Sequence, residues 1–148
     1  MTKLIDAEIK QATFVRAKPE VVYDALTTGE GLDAWFTVGS EVDARPGGSI
    51  TFRWKNWGPD KYTTESKGPV LEAKRPERFV FQWNSDKPTY ATTIEIDFEQ
   101  VEGGTVVRLK EHGYHDTPSG RAALLECAAG WGEALTLMKY YVEHGVTY

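Results

Sequence analysis

The stretch from Ser119 to His144, SGRAALLECAAGWGEALTLMKYYVEH, constrains the fold more than any other part of the chain. At 100° per residue, Leu124, Ala128, Trp131, Leu135, Met138 and Val142 stack into one apolar stripe, with Glu126, Glu133, Thr136, Lys139 and Glu143 opposite. The pattern predicts one amphipathic helix, opened by Pro118 with Ser119 as its cap and closed at Gly145. Roughly 25 residues give a rod of about 38 Å, well beyond the mean globular helix of about 11 to 12 residues. Such a helix needs a sheet to lie on.

The apolar side of this helix is uneven. Its first half offers Ala123, Cys127, Ala128, Gly130 and Ala134, its second half Leu135, Leu137, Met138, Tyr141 and Val142. Gly130 and Gly132 each cost up to about 1 kcal/mol relative to Ala inside a helix, so a compensation is expected. Two readings stand: close packing on a sheet with Trp131 as a core plug, or a volume between helix and sheet that a ligand fills.

The rest of the chain supplies the sheet. Ile5 to Arg16 alternates as a first strand, and Pro19, Val21, Val22, Ala25 and Leu26 begin a short helix that stops at Thr27-Thr28-Gly29. A second short helix spans Glu30 to Trp35. Strands are then predicted at Glu41 to Asp43, Ser49 to Lys55, Tyr62 to Ala73, Arg78 to Trp83, Thr92 to Glu99 and Val106 to His112. Turns fall at Arg45 to Gly48, Asn56 to Asp60, Asn84 to Thr89 and Gly103-Gly104, and Gly68-Pro69 reads as a bulge. Consecutive strands joined by turns imply an antiparallel meander with one face to cover. Within it Val107, Leu109 and Glu111 share a face, which puts a carboxylate at the end of an apolar row.

At 148 residues the chain is expected to form a single domain over 1–148. A net charge of −5 with scattered basic residues argues against nucleic acid and anionic membrane surfaces as partners. Met1 to Lys10 lacks a secretory pattern and no segment approaches a membrane span, so a cytoplasmic location without membrane insertion is expected. The single Cys127 reads as a structural thiol. His112, His115 and His144 have no metal-ligand spacing, and no nucleophile motif or phosphate loop is present, so neither a metal nor a cofactor is expected. Alternation aims Glu95, Asp97 and Glu99 outward, as a solvated strand face.

Several pieces together resemble one family. They are Val22-Tyr23-Asp24-Ala25-Leu26-Thr27-Thr28 with Gly31-Leu32-Asp33-Ala34-Trp35-Phe36, Pro46-Gly47-Gly48, and Gly68-Pro69-Val70-Leu71-Glu72 with Phe79 to Trp83. Gly104 to Leu109 before Gly113-Tyr114, and Gly130-Trp131 before Leu135, Met138 and Val142, complete the set. In this order they resemble the SRPBCC, or START-like, superfamily, in the group similar to the C-terminal domain of the activator of heat shock protein 90 ATPase. The resemblance implies an α+β helix-grip (Bet v-like) fold, a curved antiparallel sheet wrapped around the long C-terminal helix with two short helices after the first strand. It also implies a cavity between sheet and helix. Where relatives often carry a His shortly before the Gly matching Gly113, this chain has Glu111 and His112, so no role is carried over for that His.

The expected cavity residues are Trp35, Phe36, Trp54, Phe81, Trp83, Phe98, Glu111, Tyr114, Cys127, Trp131 and Leu135, with no catalytic residue among them. Glu111 is either a polar anchor for a ligand hydroxyl or amine, or a rim carboxylate in water. The leading function is binding of a small hydrophobic molecule, lipid-like or a polyketide- or flavonoid-like aromatic. The alternative is a stress-response module contacting a chaperone ATPase, and the third reading is a cyclase-like enzyme using Glu111.

Overall fold

The computed structural model describes residues 2–148. Seven strands, β1 (Ile9–Val15), β2 (Glu41–Val42), β3 (Ser49–Trp57), β4 (Tyr62–Lys74), β5 (Arg78–Trp83), β6 (Thr92–Val101) and β7 (Gly104–His112), form one sheet. Their order is β1-β7-β6-β5-β4-β3-β2, with every neighbouring pair antiparallel. Helices α1 (Pro19–Thr27) and α2 (Gly29–Trp35) carry the chain from β1 at one edge to β2 at the other. Helix α3 (Pro118–His144) covers the apolar face. Among the described residues no helix is long and apolar enough to cross a membrane.

Local chemistry accounts for the elements. Pro19 opens α1, where its missing N–H costs nothing. Thr28 caps α2 by accepting from the Gly31 amide at 2.9 Å. Helix α3 is capped by Thr117, whose hydroxyl accepts from the Gly120 amide at 3.0 Å, rather than by Ser119. It ends at Gly145, whose φ of 70° suits glycine. The inward rows Thr92, Ile94, Ile96, Phe98 and Val107, Leu109, Glu111 are all buried, as alternation requires.

The structure differs from the sequence expectation in several details. The first strand begins at Ile9, because Ile5 bonds to the Tyr114 carbonyl at 2.8 Å instead of to β7. Strand β3 runs on to Trp57 through an irregularity between Trp54 and Trp57. The bulge expected at Gly68-Pro69 lies between Val70 and Glu72. Gly68 is required for another reason: a Cβ there would sit 1.7 Å from the Gln82 carbonyl oxygen. On α3, Gly120, Ala123 and Ala134 are buried beside Trp131, Leu135 and Met138, while Leu124, Ala128 and Val142 are half-buried.

The outer face of the sheet carries an ion network. Arg78 donates from Nε to Glu72 at 2.9 Å, from Nη1 to Asp97 at 2.9 Å and from Nη2 to Glu95 at 2.6 Å. His112 Nε2 lies 3.0 Å from Glu95. The Arg78 hydrogen bond, above all, holds the Glu95 carboxyl below its ordinary value of 4.5. A lowered folded value contributes stability that is present above 4.5 and lost as pH falls through the folded value. Arg78→Met is expected to cost about 1 kcal/mol at neutral pH, the upper end for partly exposed ion pairs. Urea midpoints should show that gap narrowing as pH falls below 4.5 and the Glu95 carboxyl protonates. A gap independent of pH would remove the electrostatic account.

Candidate functional site

Sheet register brings the polar centre of the site together. Trp83, the last residue of β5, pairs with Thr92, the first of β6, and Ile94 pairs with Glu111 near the end of β7. Trp131 approaches this corner from α3. Glu111 is 0 % exposed and fully engaged. Its Oε2 accepts from Trp83 Nε1 at 2.8 Å and from the Thr92 hydroxyl at 2.6 Å, and its Oε1 accepts from Trp131 Nε1 at 2.9 Å. An indole N–H can only donate, so both carboxyl oxygens act as acceptors. Three good donors are what a buried carboxylate needs to offset its lost hydration.

Glu111 is thus neither a rim carboxylate in water nor exposed to open space: it lies behind the two indoles and holds them. The Trp83 and Trp131 rings stack at 5.2 Å and 29°. In front of them is a cleft of about 440 Å³ between the β3–β4 hairpin, the end of β5 and the first half of α3. Its apolar walls are Phe36, Trp54, Trp57, Tyr62, Trp83 and Trp131, with Ser85, Cys127 and Gly130 at its sides and Asp60, Glu126 and Glu133 also lining it. Phe36 touches Trp54 and Trp57 edge-on at 5.4 and 5.7 Å, which props the rings apart.

The two mid-helix glycines have different surroundings. A Cβ on Gly130 would meet nothing within 4 Å, and Gly130 lines the cleft. A Cβ on Gly132 would lie 3.3 Å from Gln11 Nε2, the group that donates to the Ala128 carbonyl at 2.8 Å. Gly132 therefore serves packing on β1, and Gly130 leaves room.

Of the residues expected to line a cavity, Phe36, Trp54, Trp83, Cys127 and Trp131 meet at the cleft. Trp35, Phe81, Phe98 and Leu135 are core residues that do not reach it. Trp35 is clamped to α1, donating from Nε1 to the Ala25 carbonyl at 2.9 Å. Phe98 packs against Tyr23 at 5.1 Å, toward α1. Leu135 lies one helical turn beyond Trp131, inside the part of the helix–sheet space that side chains fill. Tyr114 is fully buried behind the wall. Burial pushes the Cys127 thiol up to about 11, so it stays protonated at neutral pH. Sequence reasoning missed Trp57, Tyr62 and Ser85 as wall residues, although a Trp beside a Gly-Pro turn was a visible signal.

A second, larger hollow of about 640 Å³ lies between α1, α2 and the end of α3, bordered by Val21, Asp24, Glu30, Tyr141 and Gly145. It lacks a packed aromatic wall, and its Asp24 is paired with Arg75 at 2.8 Å. Among the described residues no cluster of His, Cys, Asp or Glu could hold a metal ion. His115 instead stacks on Tyr90 at 3.5 Å.

The model of the family described as activator of Hsp90 ATPase homolog 1-like protein matches residues 16–143. The chain belongs to this family, and through it to the SRPBCC superfamily. Among solved structures, the chain is similar to the Aha1 dimer from Colwellia psychrerythraea, at 28% identity and a TM-score of 0.77, covering 94% of this chain and 98% of that one. A Staphylococcus saprophyticus protein matches at 26% identity and a TM-score of 0.76, covering 96% of each chain. A Staphylococcus aureus protein of unknown function shares the fold at 16% identity and a TM-score of 0.79, covering 97% of each. No curated protein matches the chain in sequence. Activator of Hsp90 ATPase-like membership and these likenesses fix the helix-grip architecture.

Proposed function

We propose that the protein binds a small, flat, hydrophobic molecule in the aromatic cleft in front of Trp83 and Trp131. The observation that carries this reading is an open space of about 440 Å³ walled by four indoles, at the place where α3 carries glycine. Pockets of this size, apolar with a few polar groups at the side, suit a ligand of two or three fused rings. Family membership supports it, since the superfamily's members generally bind hydrophobic ligands.

The test is an amide and indole N–H titration by NMR against fatty acids, sterols and naphthalene-sized aromatics. Saturable shifts at Trp54, Trp57, Trp83, Gly130 and Trp131 are expected for the aromatics. Gly130→Ala gives a control: on a helix with free space around the new methyl, it should stabilise the fold by about 0.5–1 kcal/mol. The same methyl enters the cleft and should weaken binding. Well-dispersed spectra that no compound perturbs would rule the reading out. Stimulation of a chaperone ATPase that persists in cleft variants would replace it with the contact role the family name suggests.

A further inference from the structure

The aromatic cleft has a sign of charge as well as a shape. Three carboxylates line it, Glu126 and Glu133 from α3 and Asp60 from the β3–β4 turn, and no Lys, Arg or His does. Glu126, Gly130 and Glu133 follow one another at i, i+4 and i+7, so one face of the helix presents a carboxylate, a gap and a second carboxylate. At 1.5 Å per residue the two acids stand about 10 Å apart along the axis, with the open space beside Gly130 between them. Asp60 faces that gap from the hairpin side of the cleft.

These three acids are left without counter-charges. Among the described residues none of them takes part in an ion pair. Elsewhere the chain neutralises its acids: Glu143 of the same helix meets Arg16 and Lys139, and Glu72, Glu95 and Asp97 share Arg78. The negative field reaches into the cleft. After burial itself, the charges that push the Cys127 thiol up are those of Glu111, Glu126 and Asp86, and no cation acts on it. Exposed acids alone would mark only a solvated surface. Here they ring a hollow walled by indoles, the ring faces that attract a cation best.

Building on the ligand-binding reading, we propose that the cleft selects a cation: an amine or quaternary ammonium carried on a flat apolar ring system, with the ring against Trp83 and the ammonium among Glu126, Glu133 and Asp60. The indole faces of Trp54 and Trp57 complete the surround of the charge. A cation there also relieves the mutual repulsion of three like charges around one hollow. The same charges turn away anionic amphiphiles, fatty acids among them.

The experiment titrates three probes that differ in charge on one ring system, (2-naphthylmethyl)trimethylammonium, 2-naphthylmethanol and 2-naphthylacetate, followed through the indole N–H signals by NMR. The parent is expected to bind the ammonium about tenfold more tightly than the alcohol, the range a cation gains from indole faces and exposed carboxylates together, and the acetate most weakly. In the triple variant Asp60→Asn/Glu126→Gln/Glu133→Gln the ammonium should lose most of that preference, while the alcohol binds as it does to the parent. All three side chains are exposed, so the melting temperature should stay at the parent's value or rise above it. A second readout needs no variant. Raising the ionic strength from about 0.01 M to about 1 M shortens the screening length from about 30 Å to about 3 Å, which should lower the parent's ammonium affinity severalfold without weakening binding of the alcohol. Equal affinity for ammonium and alcohol, or no response of the ammonium to salt, leaves the cleft reading standing and overturns the cation site. An ammonium preference that survives in the triple variant overturns it as well, since the carboxylates would then select nothing. If none of the three probes binds the parent, the cation site and the ligand reading fall together.

Discussion

Glu111→Gln is expected to destabilise the protein by about 3 kcal/mol, a large share of the stability of a domain this size. The reason is geometric. One carboxyl oxygen receives Trp83 Nε1 and the Thr92 hydroxyl, and the other receives Trp131 Nε1. Gln has the same shape but only one oxygen. If that oxygen serves Trp83 and Thr92, the amide NH₂ faces the Trp131 N–H, donor against donor. If the amide is flipped, the conflict moves to Trp83. Either orientation leaves one indole N–H unpaired in a site that is 0 % exposed, and it also trades charge-assisted bonds for neutral ones. Thermal unfolding should show a midpoint about 6–12 °C lower, at about 2–4 °C per kcal/mol for a chain near 150 residues. Glu111→Ala, which orphans all three donors and leaves a hole, should be worse. If Gln were neutral, the carboxyl would be a spectator to packing and not the keystone of the corner. In the NMR spectrum of Glu111→Gln, one of the two tryptophan side-chain N–H signals should move sharply upfield while the other stays near its parent position.

The parts of this fold that period and turn chemistry control were readable in the chain. The inward row Val107, Leu109, Glu111 follows from period-2 alternation, and α3 from its stripe and its Gly145 stop. What alternation could not tell is where Glu111 would find donors, since those come from β5, β6 and α3, each far away in sequence. The usual rule that Glu avoids full burial favoured a rim position. It was overridden by two tryptophans whose N–H groups had no other destination. Cap choice failed by two residues because Thr117 and Ser119 are chemically equivalent caps, and only the backbone entering Pro118 selects Thr117. The cavity walls failed in a patterned way. Trp35, Phe81, Phe98 and Leu135 face inward like the true wall residues, and facing inward does not distinguish a side chain that fills the core from one that borders a gap. Trp57 and Tyr62 sit at the hairpin end where β3 twists through its irregularity, which turns side chains of a nominal turn back over the helix.

Trp131→Ala separates the two jobs this indole performs, and it should have the larger structural effect of the two substitutions. The ring is 4 % exposed, stacks on Trp83 at 5.2 Å and closes one oxygen of Glu111. Truncating a buried Trp costs about 3–5 kcal/mol, and the upper half of that range is expected because a carboxylate oxygen loses its donor as well. Because Trp131 borders the cleft, the vacated volume joins open space, and water reaching Glu111 returns part of the loss. The variant should therefore fold at low temperature, with its cleft enlarged by the volume of an indole. Free indole then becomes a direct probe: it matches the shape of the hole and carries the N–H that Glu111 has lost. At concentrations well above its dissociation constant it should raise the melting temperature of Trp131→Ala, in the way a ligand specific to the native state must. The parent, whose site is already filled by its own ring, should not respond to the same degree. 1-Methylindole, which lacks the N–H, should rescue poorly. If 1-methylindole worked equally well, shape alone would explain the stabilisation, and the bond between Trp131 and Glu111 would be incidental. If no indole rescued, the sheet and α3 must have collapsed onto the gap, and the glycine-bearing half of the helix would be a deformable contact in place of the rigid wall that ligand binding requires.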